Sequence, residues 1–177
     1  MGTRTQSTVR QLPRQRECGQ ALLELMFVLL ILLLLLFGLI DFGRVIYERQ
    51  ILTNLSREGA NLASRGTSLS NTVAAIMVSA APLNLSANGR VIITAVVNNN
   101  GVLSITAQLS QGGYSAASRI GNGVGSTATL PVTATKIPPV NQTLYVAEVF
   151  YGYTAITPLG ALLGATLPTT LYDAAYF

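Results

Sequence analysis

Residues 25–40 read LMFVLLILLLLLFGLI, a run of sixteen positions without a charged side chain. With residues 21–23 added, about twenty positions are available, enough for a helix rising 1.5 Å per residue to cross roughly 30 Å of hydrocarbon. Eight aliphatic residues follow one another at 29–36, so every face of this helix is apolar. A buried core helix is the rival interpretation, but helices in soluble cores rarely carry such a run on all faces. We therefore predict a transmembrane helix over about residues 21–40.

The composition supports a membrane protein and excludes several classes of function. The 177 residues are 50% hydrophobic and only 10% charged, whereas about a quarter of the residues are charged in typical soluble domains. Residues 67–177 carry only three cations, which is too few for a basic face, so we expect no nucleic-acid partner. The chain has no histidine and a single cysteine, Cys18, which excludes an internal disulfide and most metal chemistry.

Basic residues precede the apolar run, and they predict its orientation. The four arginines of the first eighteen residues favour an N-terminus on the cytoplasmic side, with the chain after about Asp41 outside. A removable secretory signal is the alternative, but residues 37–48, FGLIDFGRVIYE, contain no small-x-small cleavage triplet. A lipoprotein signal also fails, because Cys18 precedes the apolar run instead of following it.

The start of the apolar segment carries a second kind of signal. A basic leader ends at Gly19, Gln20 follows, and Glu24 is the one charge near the head of the helix, a pattern that resembles a type IV prepilin. That resemblance implies cleavage between Gly19 and Gln20, leaving Glu24 as the fifth residue of the mature chain. A carboxylate inside an apolar segment is costly unless it finds a partner, and the new α-amine of a neighbouring subunit supplies one. Taken alone, Glu24 is equally well explained as a side chain at the headgroup boundary that reaches water.

The segment after the run, DFGRVIYERQILTNLSREGANLASRG at residues 41–66, continues the helical pattern. Tyr47, Ile51, Leu55 and Leu62 recur near one face. Arg44 is spaced to pair with Asp41 or Glu48, each pair being worth a few tenths of a kcal/mol. Serine, glycine and threonine at residues 64–68 predict the end of the helix.

Together these residues resemble the TadE-like family, pilin-related proteins of tight-adherence (Tad/Flp) systems. The resemblance is strong over about residues 15–66 and weaker at a family-like ending, residues 157–177. It rests on the leader with Gly19 and Glu24, and on a helix motif that includes Asp41, Gly43, Arg44, Tyr47, Gln50, Asn54, Arg57, Glu58 and Gly59. For Arg57 and Glu58, a solvated helix face is the plain alternative to a role in fixing the helix to the outer domain.

Beyond residue 66 the pattern turns to strands. Ser70 is the expected cap of a short helix over about 71–81. Residues 90–97 and 102–109 flank an Asn-Gly step, which predicts a hairpin. Residues 110–127 are expected to form a surface loop, 130–136 a short edge strand, 144–153 an alternating strand and 170–177 a last strand. The predicted fold class is therefore α+β, a long N-terminal transmembrane helix followed by a small antiparallel sheet with a short helix.

These interpretations combine into one functional expectation. Residues 1–19 form a leader, 20–66 a long helix and 67–177 an exported β-rich domain that is not an enzyme and needs no cofactor. Past residue 66 the only carboxylates are Glu148 and Asp173, which we expect to be solvated rather than an acid–base pair. The resemblance implies a minor pilin or pseudopilin of the inner membrane that is active in pilus assembly and adhesion. It also implies the partners, which are membrane lipid, other pilins, a prepilin peptidase, a secretion ATPase and platform proteins. The alternative is an uncleaved single-pass anchor that displays a binding domain.

Overall fold

The computed structural model describes residues 15–130, 137–162 and 167–177. Its elements are, in chain order, α1 (Gln15–Ser64), α2 (Leu69–Ser79), α3 (Leu85–Asn88), β1 (Gly89–Asn99), β2 (Val102–Gln111), β3 (Thr143–Gly152), α4 (Pro158–Leu162) and β4 (Thr170–Tyr176). The predicted α+β class, a long apolar helix followed by a small antiparallel sheet, is confirmed.

Helix α1 is 50 residues long and has two different halves. Side chains from Leu22 to about Leu36 are exposed on every side of the helix. From Asp41 onward one face is buried against the outer domain, where Leu52 and Ala60 have no exposed surface. The helix ends at Ser64, inside the stretch of small polar residues that predicted its end.

Helix α2 begins two residues earlier than the sequence pattern indicated. Its cap is Ser68, whose side chain accepts a hydrogen bond from the backbone N–H of Asn71 at 3.3 Å. Ser70, the predicted cap, lies inside the first turn, with its hydroxyl 3.2 Å from that of Ser68. Because Ser68 and Ser70 are both good capping residues, sequence alone does not separate them.

The four strands are all antiparallel and lie in the order β2-β1-β3-β4. The predicted hairpin joins β1 to β2 through Asn100 and Gly101, both at positive φ. This turn type matches the right-handed twist of the flanking strands, and the Asn98 side chain supports it by accepting a hydrogen bond from the Gly101 N–H at 2.7 Å.

Both faces of the sheet are covered. Alternate residues of β3, including Ala147, Val149 and Tyr151, face α1 and α2 and form the larger core cluster. The loop between β2 and β3, which was expected to run over the surface, lies across the opposite face and buries Ile120 there. Of the edge strand predicted at residues 130–136, all but Leu130 falls outside the described residues.

Candidate functional site

The residues predicted to act in processing and register lie on the exposed start of α1. Gly19, Gln20 and Glu24 are all helical and exposed, and a Cβ at Gly19 would have no neighbour within 4 Å. Within the described residues, α1 is the one helix long and apolar enough to cross a membrane. Its most apolar 18-residue window has a mean hydropathy of 3.0 and is 0% buried. Glu24 is therefore surrounded by exposed apolar side chains, and the described part of the outer domain leaves them uncovered.

Asp41 marks the point where α1 meets the outer domain. Its carboxylate is buried and accepts a hydrogen bond from the hydroxyl of Thr157. The backbone N–H groups of Ile156 and Thr157 also donate to it, at 3.2 and 3.4 Å. In addition, the Tyr153 hydroxyl donates to the backbone carbonyl of Asp41 at 3.1 Å. The connection between β3 and β4 is thereby tied to the end of the apolar segment.

Arg44 and Glu48 lie one and two turns further along the same face. The Arg44 Nε donates to Glu48 Oε1 at 2.7 Å, so the second of the two predicted pairings forms. Asp41 takes the hydrogen bonds from Thr157 and Ile156 described above instead of pairing with Arg44. The Arg44 guanidinium also lies 5.9 Å from the centroid of the Tyr153 ring, within range of a cation–π contact. Glu48 is only 2% exposed, so this is more than the solvated helix pair that spacing suggested.

The remaining motif residues divide between an exposed and a buried group. Arg57 and Glu58 are exposed, and the Ser79 hydroxyl of α2 donates to Glu58 at 3.4 Å. Gly59 is buried, and a Cβ there would lie 2.5 Å from Ile76 Cδ1 and 3.2 Å from Ala147 Cβ. Gly43 is exposed, and a Cβ on it would meet nothing within 4 Å. At Gly59, therefore, α1 lies too close to α2 and β3 to admit a Cβ without a shift of its neighbours.

Glu148 and Asp173 lie on opposite faces of the sheet, so they form no acid–base pair. The expectation that Glu148 is solvated is wrong, because its side chain has no exposed surface. It accepts hydrogen bonds from the Ser118 hydroxyl, from the Arg119 N–H at 2.9 Å and from the Tyr172 hydroxyl at 3.1 Å. Asp173 is half-buried and faces α1.

Thr157 and Tyr153 are site residues that sequence reasoning did not single out. The available signal was the family-like ending that begins at Thr157, which indicated similarity but no partner for Asp41. Among the described residues, no group of three or more cysteine or carboxylate side chains is placed to hold a metal ion.

The comparisons with known proteins identify one part of the chain. The model of the TadE-like protein family matches residues 19–61, which confirms the predicted resemblance over that segment. The match covers the apolar half of α1 and most of the half that packs on the outer domain. No curated protein and no solved structure matches the chain significantly.

Proposed function

Starting from the TadE-like match at residues 19–61, we propose that this protein is a membrane-anchored structural subunit of a Tad/Flp-type pilus, a minor pilin or pseudopilin. In this role it is cut after Gly19, keeps Glu24 as the fifth residue of the mature chain, and takes part in pilus assembly and adhesion. Its N-terminus is cytoplasmic, and its sheet domain lies outside the inner membrane or on the pilus surface.

The observation that carries this proposal is the contrast between the two halves of α1. Residues 41–63 have a face buried against their own domain, whereas the side chains between Leu22 and Leu36 are exposed. Such a surface is stable only in lipid or against other apolar helices, and a pilus subunit uses both in turn. The family match extends across this boundary, from residue 19 to residue 61.

Glu24 gives the apolar half a means of setting register. Glu24 lies four positions after Gln20, about 6 Å along the helix axis at 1.5 Å per residue. After cleavage, the α-amine of Gln20 in one subunit and the carboxylate of Glu24 in a neighbour are opposite charges within an apolar bundle. Because an unpaired charge there is costly, their pairing favours one axial offset between subunits.

The partners follow from this role. The resemblance implies a prepilin peptidase that cuts the leader, a cytoplasmic secretion ATPase, platform proteins, and related pilin subunits. We propose no catalytic role and no cofactor.

The first experiment is the intact mass and N-terminal sequence of the protein purified from membranes of cells that contain the peptidase. A mature chain that starts at Gln20 is the expected result. A start at Met1 or Gly2 would contradict the proposal and favour an uncleaved single-pass anchor displaying a binding domain.

The second experiment separates register from insertion. Glu24→Ala is expected to leave the protein in the membrane fraction and to remove it from filaments sheared off the cell surface. Glu58→Ala is the matched control, because it removes an exposed carboxylate from the same helix in its outer half. Normal incorporation of the Glu24→Ala protein into filaments would refute the register role.

A further inference from the structure

Strand β4 forms an edge of the sheet, and its backbone polarity can be assigned residue by residue. Among the described residues β4 pairs with β3 alone. Tyr145 and Phe177 exchange both backbone hydrogen bonds, at 2.7 and 3.0 Å, and the Tyr153 N–H donates to the Thr169 carbonyl. Since hydrogen-bonded positions alternate along an antiparallel pair, Tyr172, Ala174 and Tyr176 direct their N–H and C=O groups away from β3.

A cavity of about 400 Å³ lies along these outward-facing groups. Tyr172, Ala174 and Tyr176 line it, together with one arginine from each side of the sheet. Arg49 comes from α1, which covers one face, and Arg119 comes from the loop that covers the other.

Both arginines are exposed, and within the described part of the chain neither forms a salt bridge. The Arg119 guanidinium lies 3.8 Å from the centroid of the Tyr172 ring, a cation–π contact at the edge of the sheet. Asp173 also lines the cavity, but its carboxylate accepts a hydrogen bond from Ser56 of α1 at 2.5 Å.

Outside the membrane segment, the exposed charge of the described residues is positive. Three carboxylates outside the membrane segment are buried, namely Asp41, Glu48 and Glu148. Four arginines of the same region are exposed, namely Arg49, Arg57, Arg65 and Arg119, against one exposed carboxylate, Glu58, and the half-buried Asp173. An acidic partner is therefore favoured over a neutral or basic one.

We propose that this edge binds an extended segment of another protein that carries two adjacent acidic residues. The segment adds to β4 as a fifth strand, satisfying the outward N–H and C=O groups of Tyr172, Ala174 and Tyr176. Successive side chains of a strand point to opposite faces of the sheet, so neighbouring carboxylates reach Arg49 on one face and Arg119 on the other. This inference concerns the outer domain and does not depend on processing at Gly19 or on pilus assembly.

The test measures the binding of labelled peptides to the full chain in lipid nanodiscs. The probe is an acetylated and amidated octapeptide of valine and threonine with two adjacent glutamates at its centre. One control peptide places a single residue between the glutamates, so that both point to the same face. A second replaces the glutamates with glutamine, and a third is N-methylated at alternate positions to remove strand pairing. We expect the probe to bind and each control to bind at least about tenfold more weakly.

Protein variants test the same geometry from the other side. Arg49→Gln and Arg119→Gln are each expected to weaken binding of the probe about tenfold, because each removes one charge-assisted contact. Arg57→Gln is the matched control, an exposed arginine of α1 outside the cavity, and should change binding less than about twofold. Ala174→Pro removes an outward N–H without touching the β3 ladder and should abolish binding. If that variant does not fold, the N-methylated peptide makes the same test on the unaltered protein.

Three results would overturn the proposal. One is equal binding of the N-methylated peptide, and another is unchanged binding by both the Arg49 and Arg119 variants. The third is no binding of the probe at about 1 mM, the weak end of measurable affinity. If the probe does not bind and the chain self-associates in sedimentation, with the association lost in Ala174→Pro, the occupant of the β4 edge is a second copy of the chain.

Discussion

Replacing Gly59 with alanine measures how closely α1 must approach the outer domain. The added Cβ would lie 2.5 Å from Ile76 Cδ1 and 3.2 Å from Ala147 Cβ, both closer than van der Waals contact. Overpacking a filled core typically costs about 1–3 kcal/mol, and the better helix propensity of alanine returns up to about 1 kcal/mol. We therefore expect Gly59→Ala to lower the free energy of unfolding of the outer domain by up to about 2 kcal/mol.

Gly43→Ala is the matched control, because it makes the same change in the same helix where a Cβ has no neighbour within 4 Å. It should leave stability unchanged or raise it by up to about 1 kcal/mol. Urea unfolding of the full chain in detergent micelles provides the measurement. Tyrosine emission reports it, since the chain has seven tyrosines and no tryptophan.

A double-mutant cycle then identifies the atom responsible. Ile76→Val removes Cδ1, the nearest atom to the new Cβ, and alone should cost about 0.5–1.5 kcal/mol. In Gly59→Ala/Ile76→Val the alanine fills the vacated space, so the combined loss should fall short of the sum by about 1 kcal/mol or more. Additive losses, or a Gly59→Ala protein as stable as Gly43→Ala, would refute the close approach at this position.

Three further predictions concern polar groups of the outer domain. Asp41→Ala should speed amide hydrogen exchange at Thr157 by about tenfold or more, because the Thr157 N–H loses its carboxylate acceptor. Unchanged exchange would mean that this hydrogen bond does not hold the connection between β3 and β4 against α1. Glu148→Gln should cost about 2–4 kcal/mol in urea unfolding, since the amide nitrogen that replaces one carboxylate oxygen cannot accept a hydrogen bond from the donors on that side. The exposed Glu58→Gln should change stability by less than about 0.5 kcal/mol. Burial and the Glu148 carboxylate raise the pKa of the Tyr172 hydroxyl above its ordinary value of 10.0. As the pH rises above about 10, the unfolded chain therefore loses the Tyr172 proton before the folded chain does, and the free energy of unfolding falls. The Tyr172→Phe protein should show a shallower fall.

Sequence reasoning succeeded where the cause of structure is local. Asn100 and Gly101 are the two residue types that most readily take positive φ, so the pair fixed the hairpin between β1 and β2. The strand predicted at residues 144–153 matches β3 within one residue at each end, and its alternate residues Ala147, Val149 and Tyr151 lie in the core cluster that includes α1. The α-helical conformation and apolarity of α1 needed no tertiary information, because the repeating backbone hydrogen bonds of an α-helix join residues four positions apart.

Sequence reasoning failed where the partner of a side chain is distant in the chain. Glu148 looked like a solvated strand residue because the loop that supplies Ser118 and Arg119 carries no apolar periodicity of its own. Asp41 was recognised as a motif residue, but Thr157, more than a hundred positions away, shares no local pattern with it. Burial of a carboxylate depends on donors that only the assembled sheet brings together, so no window of sequence around either carboxylate contains that information.

Under the proposed function, the two halves of α1 contribute different terms to assembly. Lipid tails are about as apolar as leucine, so moving the surface of residues 22–36 from lipid onto neighbouring helices gains little hydrophobic free energy. The apolar half therefore permits assembly without selecting a partner, apart from the register set by Glu24. Selectivity for one partner subunit over another must then come from polar surface that leaves water when subunits assemble. Helix α1 exposes such a surface after Asp41, in a shallow groove. The groove is lined by Ile46, Arg49, Gln50, Thr53 and Asn54. Exchange of residues 46–54 between related subunits should therefore change which partners they join, whereas exchange of residues 25–36 should not.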